Sequence, residues 1–435
     1  MSRLPVSDLI LDIADLTHDG RGVARHDGKA VFVTGALSGE RVRAKLVRKH
    51  RRYDEAVVTE VLQASAQRVA PRCPHFGVCG GCVLQHLGPA AQIAAKQHAL
   101  IENLARIGQV EPEHVLEPLH GDPWGYRRRA RLSVKDVLKK ARVLVGFREL
   151  DGRFVADLRE CHVLHPVVGM KLAALSALVE SLDGRGDIPQ IEVSIGDDVA
   201  ALVFRHLQPL SARDVTLLVE FGRREGLAML AQSGGPETVS ALTPEHAPLS
   251  FRLPHYELDI AFEPLDFVQV NATMNERMIE HALSLLRPAP GMRVLDLFCG
   301  LGNFTLPIAR SGAQVTGVEG DPGLIERARA NAARNRLDVD YHAADLFKDQ
   351  RTAPWATRAC DAVLLDPPRA GAAELLAWMP RKETTRVVYV SCHPGSLARD
   401  AGTLVREHGF ALRAVGVMDM FPHTAHVESI ALFER

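Results

Sequence analysis

The last 170 or so residues alternate short β-branched runs with amphipathic stretches, the pattern of a doubly wound parallel sheet with helices on its faces. Each run ends on a polar or glycine-rich signal. Residues 293–297 lead into Phe298-Cys299-Gly300-Leu301-Gly302-Asn303, residues 315–318 end on Glu319, and residues 339–342 are followed by Asp345. Leu364-Leu365 is followed by Asp366, and residues 386–390 by Ser391-Cys392. Parallel strands present their carboxyl ends along one edge, so Gly300, Glu319, Asp345, Asp366 and Cys392 are expected to line one crevice. Gly300 and Gly302 let backbone approach a ligand, and Glu319 stands about 20 residues further on, where an acidic side chain binds ribose hydroxyls. A nucleotide-type ligand is expected there. Pro394-Gly395 stops the fifth strand just past Cys392, which leaves that thiol at a strand tip, available as a nucleophile. Cys299 and Cys360 read as packed thiols.

At 435 residues the chain exceeds one ordinary core, so two or three domains are expected. Its 46% hydrophobic and 24% charged residues exclude a disordered, collagen-like or mucin-like protein. A net charge of -1 means that any nucleic-acid binding must rest on local patches. Asp8, Asp12 and Asp15 interrupt the amino-terminal apolar residues, and no long uncharged apolar run follows. A cytoplasmic protein without a membrane partner is expected. Seven unevenly spaced cysteines do not suit a disulfide framework, which leaves metal-binding or catalytic roles.

Short β runs at residues 30–34, 41–47 and 56–62, broken by Gly-rich turns, predict a small barrel of about five strands. Arg41, Arg43 and Lys45 alternate onto one strand face, and Arg48, Lys49, Arg51 and Arg52 follow, a basic group that could track a phosphate backbone. Further on, Cys73, Cys79 and Cys82 sit among Gly77, Gly80 and Gly81, with Cys161 as the obvious fourth thiol. Four soft ligands suit an iron-sulfur cluster or a structural zinc, and the single C-x2-C unit favours the cluster. Residues 89–107 read as a helix, with Ile93, Lys96, Leu100, Leu104 and Ile107 near one face. A basic stretch beginning at Tyr126-Arg127-Arg128-Arg129 reads either as an RNA surface or as a solvated strand face. Residues 267–271 read as a strand leading into a helix.

Several of these segments resemble known families. GRGVARHDGKAVFVTGALSGERVRAKL resembles a TRAM domain, the small OB-like RNA-binding barrel attached to RNA-modifying enzymes. DLFCGLGNF followed by VEGD resembles the S-adenosylmethionine loop of a class I methyltransferase. DPPR resembles the DPPY-type motif of amino-directed nucleic-acid methyltransferases, but Arg369 replaces the stacking aromatic, which with Cys392 points to carbon methylation. The chemistry explains the thiol. C5 of uracil is too poor a nucleophile to attack a sulfonium methyl, whereas addition of a thiolate at C6 makes C5 an enolate carbon. A base must then remove the C5 proton, and Glu428, on a late strand that can return over the crevice, is the candidate. His423 and His426 read as ordinary hydrogen-bonding residues.

PRCPHFGVCGGC, VLDLFCGLGNFTLP, GVEG, LLDPPRAGA, YVSCHPGSLARD and DMFPHTAHVES together resemble the bacterial RNA (uracil-C5)-methyltransferases, most of all the type acting on 23S ribosomal RNA. The resemblance implies an α/β fold: an OB-like TRAM barrel over residues 1–66, a central α+β iron-sulfur domain over 67–262, and a class I, Rossmann-like methyltransferase domain over 263–435. Helix 89–107 could then pack on the catalytic domain. It implies Cys392 as nucleophile and Glu428 as base, with Gln269, Phe298, Asn303, Glu319, Asp345 and Asp366 around S-adenosylmethionine. It implies Cys73, Cys79, Cys82 and Cys161 as ligands of a [4Fe-4S] cluster. A monomer acting on 23S ribosomal RNA, and not on DNA, is expected. One departure is His393, where SCHP replaces the family's SCNP. Other readings are a transfer-RNA uridine methyltransferase and a non-catalytic RNA assembly factor. An iron-sulfur redox enzyme is disfavoured by the lack of a flavin or nicotinamide fingerprint.

Overall fold

A computed structural model describes residues 8–17, 19–379 and 383–435. They form two compact units: one runs up to Ala99 and includes Arg148–Phe154 and Phe421–His426, and the other comprises Leu100–Phe147, Val155–Met420 and Val427–Arg435.

In the first unit six strands form one sheet, one more than the sequence suggested, the extra being the two-residue Asp15–Leu16. Arg41–Lys49 pairs antiparallel with both Asp8–Asp12 and Tyr53–Gln63, and the latter runs parallel to Lys29–Thr34. Three register shifts along Arg41–Lys49 bend the sheet toward closure. Alternation puts Val42, Ala44 and Leu46 inside with Leu11, Ile13, Val31 and Val33. Arg41, Arg43 and Lys45 therefore point outward as expected, but Arg43 meets Glu60 at 3.0 Å and Arg41 meets Asp12 at 3.8 Å. Arg48, Lys49, Arg51 and Arg52 are exposed at the hairpin tip beyond them.

The Glu40 carboxylate, 1% exposed, closes this barrel at one end. It accepts the Leu37 and Ser65 N–H groups at 2.9 and 3.2 Å and the Arg68 guanidinium at 2.5 and 2.8 Å. These donors outweigh its desolvation and hold its pKa below the usual value.

In the second unit, Arg129–Val137, Arg142–Gly146, Gln190–Ile195, Ala200–Arg205, Ala228–Gln232 and Val239–Ala241 form a mixed sheet, with helices Leu172–Ser181 and Ala212–Glu225 in the intervening chain. The basic stretch lies in this sheet, and much of its charge is spent inside the fold. Arg128 pairs with Asp197 and Arg131 with Glu192, both at 2.5 Å, while Arg129 donates to Ser194 at 2.8 Å and to the Pro264 carbonyl.

The larger sheet of this unit has seven principal strands: β1 (Arg293–Leu297), β2 (Gln314–Glu319), β3 (Asp340–Ala343), β4 (Ala362–Leu365), β5 (Arg386–Ser391), β6 (Ala411–Met418) and β7 (Glu428–Glu434). Their order is 3-2-1-4-5-7-6, with β1 to β5 parallel and β7 inserted antiparallel between β5 and β6. The strands are continuous apolar runs because both faces are covered. Residues 267–270 are irregular rather than a strand: Arg128 N–H donates to Val270 O at 2.8 Å, and Asn271 caps helix α1 (Ala272–Leu286) by accepting from Met274 N–H. Residues 89–107 divide into an α-helix, Pro89–Asn103, and a π-helical turn, Leu104–Gly108. The wider turn takes Ile107 off the expected face, and it is 50% exposed.

Replacing Glu40 with Ala leaves two backbone donors and the Arg68 guanidinium without their acceptor, so the first unit is expected to lose about 3 to 5 kcal/mol. Denaturant unfolding with separate probes on the two units checks this.

Candidate active site

The crevice is built at the carboxyl edge of β1 to β5. After β1 the chain turns sharply: Phe298 and Cys299 N–H both donate to Val318 O, at 2.9 and 3.1 Å, which ties the turn to β2. Phe298 adopts φ of 65°, a left-handed conformation that a bulky residue resists, and its ring lies 5.8 Å from that of Phe347 beyond β3. Gly300 has φ of 54°, and a Cβ placed on it would meet nothing within 4 Å. The loop thus offers bare backbone facing open space, as a ligand-cradling turn requires.

Glu319, ending β2, accepts the Gly300 N–H at 3.2 Å with one oxygen and the Gly320 and Asp321 N–H groups at 2.6 and 3.1 Å with the other. Its carboxylate is held by backbone donors in the place where a ribose diol would find an acceptor. Asn303 and Asn275 exchange reciprocal amide hydrogen bonds of 2.8 and 2.9 Å, so helix α1 steadies the glycine loop. Asp345 is exposed, accepts from Phe347 N–H at 3.0 Å and from Lys348 at 3.1 Å, and has its pKa lowered, chiefly by the lysine. Gln269 is half-buried in the irregular segment before α1.

Under the loop lies a polar group that sequence patterns did not single out. Asp296, fully buried on β1, accepts the Thr305 hydroxyl at 2.5 Å. Its other oxygen and the Tyr341 hydroxyl are buried without a partner among the described residues. Burial pushes Asp296 up to about 7, against the Thr305 bond and with help from the negative charges of Asp366 and Glu319. A polar residue inside an apolar strand was the only available signal.

At the other end of the edge, β5 and β7 pair through Ser391 and Ser429, and Ser429 Oγ donates to Ser391 O at 3.1 Å. The ladder ends at this pair; Cys392 follows directly on β5 and Glu428 opens β7, near enough for the Glu428 charge to act on the thiol. Cys392 is half-buried and Glu428 is 4% exposed. Burial pushes the Cys392 thiol up to about 11, reinforced by the Glu428 and Asp366 charges and opposed by Arg369. Burial holds the Glu428 carboxyl well above the usual range, and Asp366 adds to it. Asp366, one residue past β4, is itself pushed up to about 7 by desolvation. Around one thiol the fold therefore collects two carboxyl groups that favour their neutral forms and one arginine. Such a set can activate a nucleophile and remove a proton.

Beyond Cys392, His393 caps helix α2 (Pro394–Arg406), its Nδ1 accepting Ser396 N–H at 3.1 Å. The ring thus serves as an N-cap acceptor, a place that short polar side chains usually fill. Cys299 and Cys360 are packed, at 5% and 6% exposure. His423 is buried, its ring nitrogen 3.2 Å from Gln92 Nε2 and its N–H donating to Gln92 Oε1 at 2.9 Å, ordinary hydrogen bonding as expected.

In the first unit, Cys73, Cys79 and Cys82 are half-buried in one loop. Cys73 N–H donates to Gln85 Oε1 at 3.1 Å, Gly80 N–H to Arg148 O at 2.8 Å, and Gly81 N–H to Cys79 Sγ at 3.4 Å. Cys161, also half-buried, belongs to the second unit, where its carbonyl packs so tightly on Gly169 that no Cβ would fit there. Among the described residues no three His, Cys, Asp or Glu side chains form a group that could hold a metal ion, and no helix is long and apolar enough to cross a membrane.

Residues 255–435 match the family model described as tRNA (Uracil-5-)-methyltransferase, and residues 7–59 match the TRAM domain. Curated relatives from Xanthomonas oryzae pv. oryzae and Xylella fastidiosa, each described as 23S rRNA (uracil(1939)-C(5))-methyltransferase RlmD, are 60% identical over 97% of this chain and 96% of their own. Among solved structures, the Pyrococcus abyssi tRNA (uracil-54, C5)-methyltransferase in complex with S-adenosyl-L-homocysteine superposes with a TM-score of 0.73 at 23% identity, covering 98% of this chain and all of that one. That likeness, carried by the backbone, shows a shared fold.

The Asp296 carboxyl makes a checkable contribution to stability. Its folded pKa, about 7, lies above the ordinary 3.8, so it stabilises the fold fully below pH about 4 and loses that contribution as pH rises through 7, at up to about 1.4 kcal/mol per unit. Between pH 5 and 8 the melting temperature of the wild type is therefore expected to fall relative to that of Asp296→Asn. Parallel curves would remove the proton from this site.

Proposed function

The chain belongs to the family of RNA (uracil-C5)-methyltransferases, and we propose that it methylates C5 of a uridine in 23S ribosomal RNA, with Cys392 as nucleophile and Glu428 as base. The observation that supports this reading best is the antiparallel pairing of β5 with β7, whose last residue pair, Ser391 and Ser429, is flanked by Cys392 on one strand and the buried Glu428 on the other. S-adenosylmethionine would supply the electrophilic methyl group. The residues available to it are Gln269, Phe298, Asn303, Glu319, Asp345 and Asp366, and the open backbone at Gly300 and the fixed Glu319 carboxylate fit a nucleoside with a free diol.

The chain's own steps follow from its electrostatics. Cys392 in its thiolate form adds to C6 of uracil, which makes C5 an enolate carbon able to take the methyl group. Glu428, whose carboxylate is a stronger base for being desolvated, then removes the C5 proton, and the C6–S bond breaks to restore the thiolate. Arg369 is the cation that favours the thiolate. Attack at C6 by a thiol at a sheet edge needs the ring face bare, so the uridine must leave its stack to react.

Substrate choice rests on full-length similarity. Relatives of 60% identity are described as acting on 23S rRNA, whereas the transfer-RNA name comes with a family model over residues 255–435 and a structure of 23% identity. RNA contact beyond the crevice is best supported at the barrel hairpin tip, since Arg41 and Arg43 are paired with acidic neighbours. Four thiols, one already accepting a backbone N–H, are the donor set of an iron-sulfur cluster, and we assign Cys73, Cys79, Cys82 and Cys161 to a [4Fe-4S] centre with a structural role.

RNA carrying 5-fluorouridine is expected to trap a covalent adduct on Cys392, because fluorine cannot leave as a proton. Cys392→Ala should give none, and an equal yield from it would refute the nucleophile. Glu428→Gln should instead accumulate enzyme joined to methylated RNA, with turnover down by about 10²-fold or more.

Protein purified without air should contain iron and acid-labile sulfide and lose both on Cys79→Ser. A stoichiometric zinc content in their place would overturn the cluster.

A further inference from the structure

Asp400, on helix α2, is 0% exposed and bonds to two other segments and to its own helix neighbour Arg399. One oxygen accepts the Tyr389 hydroxyl of β5 at 2.6 Å and the Ala372 N–H at 2.7 Å, and the other accepts the Arg399 guanidinium at 2.7 to 2.8 Å. Arg399 also donates to Ala370 O at 2.8 Å, and Gly371 N–H closes a turn on Pro368 O at 2.8 Å. Gly371 has φ of 82°, and a Cβ there would lie 2.5 Å from Arg399 Nη2 and 2.6 Å from Asp400 Oδ2. Only glycine lets the turn press this closely onto the carboxylate.

The turn so clamped, residues 368–371, carries Arg369 and follows directly on Asp366. Tyr389 lies three residues before Cys392 on β5, and α2 begins two residues after it. The three segments that Asp400 joins are therefore the strand before the thiol, the helix after it and the turn bearing the arginine that acts on it. Apolar residues would hold two elements together at less cost than a buried carboxylate with a charged partner. What the carboxylate adds is direction, because each bond fixes a donor in angle as well as in distance.

We infer that Asp400 is a positioning residue for the reaction: with Tyr389 it sets the 368–371 turn so that Arg369 faces Cys392. The inference rests on the reading of Cys392 as nucleophile. Arg369 is the charge that opposes the upward push on that thiol, which fits the placement.

The test reads the sulfur itself. Alkylation of Cys392 by iodoacetamide is followed across pH by mass spectrometry of its peptide, in the wild type, Tyr389→Phe, Asp400→Asn, Arg369→Gln and the Asp400→Asn/Arg369→Gln double variant. Asp400→Asn and Arg369→Gln are each expected to move the profile upward by about 0.5 to 1 pH unit, with the double variant no further than the larger single shift. Tyr389→Phe, which keeps the packed ring, should move it in the same direction by less and slow single-turnover methylation. Profiles for Asp400→Asn and Tyr389→Phe that overlay the wild type, or shifts for Asp400→Asn and Arg369→Gln that add, would overturn the inference and leave Asp400 only structural. If Cys392→Ala still methylates RNA, the proposed reaction fails, while the alkylation profile still decides whether Asp400 acts on this sulfur.

Discussion

The pairing of β5 with β7 is the constraint on which the proposed chemistry depends. A parallel strand at that position would have sent its first residue to the opposite edge of the sheet, away from Cys392. Because β7 runs antiparallel, its first residue, Glu428, and the residue just past β5, Cys392, meet at the same edge. Ser429 Oγ on Ser391 O pins the register one step away, and a slip of one residue would turn the carboxyl to the other face. The sheet order 3-2-1-4-5-7-6 thus decides which strand ends share this edge.

Desolvation then decides what they can do. Asp296, Asp366 and Glu428 are all pushed toward their neutral forms, first of all by burial. Clustered carboxylates would repel one another if all were ionised, and the Asp366 charge makes Asp296 and Glu428 harder still to ionise. The same low-dielectric setting works against the Cys392 thiolate, and the Arg369 charge opposes it. The barrel shows the opposite balance: Glu40 is as deeply buried but meets four donor groups and is held ionised.

Much of the catalytic fold could be read from strand ends, since β-branched runs closed by Gly300, Glu319, Asp366 and Cys392 leave few sheet arrangements open. The periodicity of helix 89–103 was equally legible, but the π-helical turn after it was not, because five residues of ordinary helix-formers carry no mark of a wider turn. Residues 267–270 look like a strand by composition, yet they find no ladder partner and serve as the approach to the Asn271 cap. The basic stretch at Arg128 to Arg131 could not be judged either way, because Asp197 and Glu192, which neutralise it, lie some 60 residues away in sequence. Asp296 and Asp400 carry no sequence signal for a similar reason: a single buried carboxylate has no pattern, and the groups it meets come from other parts of the chain.

The left-handed backbone at Phe298 narrows how this loop can diverge. Valine or isoleucine there would crowd its own carbonyl, while glycine would accept the torsion but lose the ring that rests against Phe347. Drift at this position is therefore squeezed between two different penalties, so an aromatic residue can persist even where the sequence around it changes freely.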